Sequence, residues 1–133
     1  MTKQDAAQVL AILKAAYPAS YQGMTKQEAT GTISVWTMQF ADMPVDIVLL
    51  AVHKLISSNK FPPTVAEVKQ KLQSIHWETY DLISGAVGTE LIDPKKKEVY
   101  QRIYDATKPY QYAKVIEPKI AQMLPHTQRL GIE

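Results

Sequence analysis

Lys60-Phe61-Pro62-Pro63-Thr64-Val65-Ala66-Glu67-Val68 ends one helix and starts another. Pro62 drives Phe61 out of the helical region, and Pro63 stiffens the turn. Thr64 and Glu67 then read as a capping box: the hydroxyl accepts the amide three residues on, and the carboxylate reaches back to the cap amide. This geometry predicts that Phe61 is aimed at the bundle as a plug against Trp36. The same signature stands upstream at Thr25 and Glu28, and in a weaker, shorter-armed form at Thr2 and Asp5. Pro44 marks a fourth start, since its fixed φ suits the first helical position.

Between these signals the apolar residues keep helical spacing. Helix one is expected from about Lys3 to Tyr17, with Ala6, Val9, Leu10, Leu13 and Tyr17 on one face and Pro18 closing it. The next helix, about Lys26 to Ala41, carries Ala29, Ile33, Trp36 and Phe40 in one stripe. A third, about Pro44 to Ser58, turns Val45, Val48, Leu49, Val52, Leu55 and Ile56 inward. The fourth follows Thr64 and reaches about Ser84 through Val65, Val68, Leu72 and Ile75. No segment alternates like a strand. The fold class is all-α: a bundle of about four helices over residues 1–84, followed by a helical, proline-interrupted arm over residues 85–133.

That arm opens with a linker, Gly85 to Asp93. Asp93 caps a helix with Pro94 at its first position, running to about Thr107, and prolines 109, 118 and 125 then leave room only for short helical pieces. Val115, Ile116, Ile120, Met123 and Leu124 still offer an apolar face. Charge divides the same way. In residues 1–59, Lys3, Lys14, Lys26 and Lys54 cancel Asp5, Glu28, Asp42 and Asp46. In residues 94–129, Lys95, Lys96, Lys97, Arg102, Lys108, Lys114, Lys119 and Arg129 outweigh Glu98, Asp105 and Glu117.

Composition excludes several function classes. A chain of 133 residues with 46% hydrophobic and 21% charged residues is globular and of single-domain size. Its net charge of +2 is too small to announce nucleic-acid binding. With no cysteine, disulfides, thiolate metal sites and cysteine nucleophiles are out. The five glycines never form a phosphate-cradling loop, and His53, His76 and His126 fall in separate segments without metal-ligand spacing. Glu78 and Asp81 share a helical face beside Trp77 and Tyr80, which reads as a solvated surface. No serine lies in a nucleophile-elbow sequence. The N-terminal segment mixes acidic and basic residues before a short apolar patch broken by Lys14, unlike a secretory signal. A soluble intracellular protein without catalytic site, metal or cofactor is expected.

Three features read as interaction surfaces. Lys95, Lys96 and Lys97 crowd the first turn of a helix, where the macrodipole disfavours cations by about 0.3–1 kcal/mol each. They either solubilise the surface or await an anionic partner. Tyr100, Tyr104, Tyr110 and Tyr112 interleave with Arg102, Lys108 and Lys114, a mixture suited to protein interfaces or to stacking on single strands. The alternative is that the tyrosines pack this helix onto the bundle. Leu50 falls among Asp46, His53, Lys54 and Ser57 on the polar face of helix three, a place to receive the arm or a partner.

The run Ile12-Leu13-Lys14-Ala15-Ala16-Tyr17-Pro18, then Met24-Thr25, Trp36 and Phe40, and above all Lys60 to Val68, resembles the phage-encoded loaders and inhibitors of the replicative helicase. The likeness covers about residues 3–75. Within it Tyr17, Pro18, Trp36, Phe40, Phe61, Pro62, Pro63, Thr64 and Glu67 read as structural. The resemblance implies binding to the hexameric replicative helicase in its ATP-bound state, holding it inactive, and passing it to an origin-bound replisome organiser in the cytoplasm of the infected bacterium. It also implies that the C-terminal segment grips the helicase. Two rival readings stay open: a direct DNA-binding module, and an adaptor for a host replication or regulatory protein.

Overall fold

The computed structural model describes residues 1–85 and 93–112. Within them the chain forms α1 (Lys3–Ala16), a 3₁₀ turn (Pro18–Tyr21), α2 (Lys26–Gln39), α3 (Val45–Ile56), α4 (Val65–Ser84), α5 (Pro94–Ala106) and a closing 3₁₀ turn (Lys108–Tyr110). No strand occurs among the described residues, and the fold is all-α.

All three capping boxes form. Thr2, Thr25 and Thr64 accept the amides of Asp5, Glu28 and Glu67, and each carboxylate returns to its cap amide. Those backbone hydrogen bonds hold the Asp5 and Glu67 carboxyls below their ordinary pKa. Asp93 caps α5 through the amide of Lys95, with Pro94 in the first turn. Pro44 stands one place earlier than its φ alone predicts. Its ψ of 138° is extended, so it is the cap whose carbonyl receives the first amides, and α3 begins at Val45. Helices α1 and α2 end just short of expectation, with Tyr17 and Phe40 as their C-caps. Gly85 closes α4 at φ 88°, a left-handed conformation that a Cβ disfavours.

The core gathers the predicted stripes: Val9 and Leu13 of α1, Trp36 and Phe40, Val48, Val52 and Leu55 of α3, and Val68, Leu72 and Ile75 of α4. Ile47, outside the predicted face of α3, is buried with them, while Val45, Leu49 and Ile56 are only partly buried. Each large apolar side chain moved from water stabilises the fold by about 1.5–3 kcal/mol. Helix α4 is the spine. α3 packs along it, α5 and the closing turn lie on it as well, and α1 joins α2 to α3. Tyr110 of the closing turn enters the same core, 8% exposed.

One expectation fails in the Pro62-Pro63 loop. Phe61 is 68% exposed, with the Lys60 ammonium 5.6 Å from its ring, and does not plug the bundle. Phe40, four residues past Trp36 at the C-cap of α2, fills the place beside it, their rings 5.5 Å apart. Pro63 is the loop residue that is buried. The other motif residues knit the loop to α1: the Tyr17 hydroxyl donates to the Asn59 carbonyl at 2.9 Å, and the Asn59 amide donates to Glu67 Oε2 at 3.1 Å.

Candidate partner-binding surface

Helix α4 presents two chemistries past residue 72. Ile75, His76 and Thr79 turn inward, while Trp77, Tyr80, Asp81 and Ser84 face out. Helix α5 meets this surface with half-buried Tyr100, Ile103 and Tyr104 and fully buried Thr107. The joint is aromatic and polar. The Tyr104 ring stacks on His76 at 4.4 Å and 17°, and His76 Nδ1 lies 2.9 Å from Thr107 Oγ1. That hydroxyl donates to the Ile103 carbonyl at 2.7 Å. Its remaining capacity is to accept, which assigns the proton to His76 Nδ1 and leaves Nε2 as a bare lone pair. Nε2 has no partner among the described residues. Burial depresses the His76 pKa, and the Lys108 cation adds to the depression.

Past the closing turn, the Trp77 indole N–H donates to the Gln111 carbonyl at 2.8 Å and holds the chain against α4. Trp77, Tyr80 and Tyr112 form an exposed aromatic patch, with Trp77 5.6 Å from Tyr80 and 6.4 Å from Tyr112. Beside it runs an apolar cleft of about 240 Å³ between α4 and α5, lined by Tyr80, Ile83, Ser84, Gln101 and Tyr104.

The cationic and aromatic residues singled out in the sequence part company here. Tyr104 and Tyr112 join the aromatic patch, whereas Tyr110 is buried and its phenol is pushed up to about 12 by that burial. Arg102 turns to α3 and grips Asp46 with two hydrogen bonds, 2.7 and 3.1 Å, which hold the Asp46 carboxyl below its ordinary pKa. Lys108 lies 3.6 Å from Asp105 and over the Tyr104 ring. Lys95, Lys96 and Lys97 are exposed and make no ion pair with any described residue. Leu50 is half-buried against the core. Lys114, with the apolar face from Val115 to Leu124, lies outside the described residues.

Sequence reasoning passed over the His76–Thr107 joint and the Trp77–Tyr80 platform. The stripe Leu72, Ile75, His76, Thr79 contained the signal, because a histidine inside an apolar stripe calls for a partner from another element. Glu78 and Asp81 are exposed. Among the described residues no three His, Asp or Glu side chains group to hold a metal ion, and no helix is long and apolar enough to cross a membrane.

Residues 1–69 match the family model for the N-terminal domain of the phage SPP1 helicase loader/inhibitor. The chain belongs to this loader/inhibitor family. The match takes in α1, α2, α3 and the first turn of α4. No curated protein and no solved structure matches the chain. The α4–α5 cleft and its aromatic patch therefore lie beyond the segment by which the loader/inhibitor family is matched.

Proposed function

We propose that this protein binds the hexameric replicative helicase, holds it inactive and delivers it to an origin-bound replisome organiser, in the cytoplasm of the infected bacterium. The observation that carries this reading is the loader/inhibitor-family match over the bundle. The bundle of residues 1–84 is the platform and residues 85–133 are the gripping arm, whose first helix is docked on α4. Leu50, Tyr100, Tyr112, Lys114 and the Lys95–Lys97 run are the proposed contacts; Tyr110 and Arg102 hold the arm on the bundle, and Lys108 pairs within the arm. Work is done by binding alone. Any dependence on ATP comes from the helicase, whose ATP-bound state the loader favours by binding it more tightly.

The test is a pull-down of the purified chain with its cognate helicase, with and without ATP. Association is expected, stronger with ATP. Absence of association in both conditions overturns the proposal. A titration on single- and double-stranded DNA addresses the DNA-binding rival, which demands tight binding without helicase and a steep loss with salt.

A further inference from the structure

The cleft between α4 and α5 has the size and chemistry of a side-chain socket. At about 240 Å³ it is smaller than the clefts that hold cofactors or drug-sized ligands, about 300–1,000 Å³. Its lining is almost wholly apolar, with Tyr80 and Ile83 contributed by α4 and Tyr104 by α5, the two phenol rings 6.1 Å apart. Lys97 stands one turn before Gln101 on α5, hence on the cleft side of that helix. Lys95 and Lys96 crowd the same turn, opposed by the macrodipole and unanswered by any described carboxylate.

Charge selects the occupant. A nucleic-acid backbone would need cations on both rims, but the α4 rim carries exposed Asp81, with Glu78 one turn before. The chain's own tail is a poor match, since Lys114 and Lys119 would meet three more lysines. A helix satisfies both parts of the site when its carboxylates are confined to the end that meets the lysines and its apolar face lies beside Asp81 and Glu78, an uneven distribution that a uniformly charged phosphate backbone lacks. We infer that the cleft receives one large apolar side chain from an acidic amphipathic helix of the helicase, whose carboxylates lie over Lys95, Lys96 and Lys97. This rests on the loader reading above and supplies the docking chemistry that it lacks. The bulky anchor provides burial, and the lysines set the direction in which the helix lies.

The experiment titrates the full-length chain into the helicase hexamer with ATP in a calorimeter. Ser84→Phe fills the cleft from an exposed position, and the pair Lys96→Glu and Lys97→Glu reverses its charged end. Met38→Ser, on an α2 side chain 75% exposed, is the control. Gln101→Phe plugs the cleft from the opposite wall if Ser84→Phe lowers the melting temperature. Plug and charge reversal are each expected to weaken binding by about tenfold or more, with the control unchanged. If the unaltered chain binds and the plugged chains bind equally well, the socket is wrong while the loader reading stands, whatever charge reversal does. If the unaltered chain does not bind the helicase, both fall.

Discussion

His76 carries a cost that its neighbours only half offset. Its Nδ1–H is answered by Thr107, but protonating Nε2 would place a cation in a buried site beside Lys108, a penalty that the Tyr104 backbone offsets only in part. The folded-state pKa is therefore below the unfolded value, about 6.5. Above that value both states are neutral. As pH falls through it, the unfolded chain takes up a proton that the fold refuses, and stability declines by up to about 1.4 kcal/mol per pH unit until the folded pKa is reached. Thermal melts from about pH 7.5 to 5.5 should show that slope, and His76→Asn should flatten it; equal slopes would remove His76 as the cause. Two phenylalanines give a second check at this scale. Phe40→Ala should cost about 3–5 kcal/mol in a denaturant titration, while Phe61→Ala should stay within about 0.5 kcal/mol. Sequence reasoning placed Phe40 correctly because it repeats the stripe of Ile33 and Trp36. It misplaced Phe61 because an aromatic next to a proline turn has no periodicity to say which way it faces.

Among elements, the helix starts were the most legible feature, since a Thr with an acid three residues on is a local arrangement that needs no tertiary partner. Thr64→Ala should lower stability by about 1 kcal/mol in the same titration. The partner of α5 was not legible. Tyr100, Ile103 and Tyr104 announce that the helix has a face, and nothing in their spacing says that α4 covers it or that Arg102 reaches back to Asp46 on α3. The depth of that docking has a measurable outcome. A chain ending after residue 112 keeps α5 and the closing turn and sets the reference melting temperature. One ending after residue 84 loses Ile103, Thr107 and Tyr110 from the interior and should melt several degrees lower, since removing a buried aromatic alone costs about 3–5 kcal/mol. Equal melting temperatures for the two truncations would mean that α5 contributes little to the bundle.

For the whole molecule, the family segment and the aromatic seam are different parts of one surface problem. Residues 1–69 were recognisable because their motif residues fold the chain: Tyr17 and Glu67 are joined through Asn59, which the motif did not include, in a hydrogen-bonded chain from α1 to α4. The cleft was invisible in the sequence because Tyr80 and Tyr104 come from helices separated by the 86–92 segment and meet only after docking. The two tryptophans fall on either side of this divide. Trp36, 7% exposed against Phe40, belongs to the family bundle, and Trp77, 38% exposed, belongs to the seam. The protein thus contains a pair of built-in optical reporters. In a Trp36→Phe chain the remaining indole emits from the seam alone, and its wavelength and iodide quenching follow attachment of the C-terminal helix; in a Trp77→Phe chain the emission follows only the interior of the bundle.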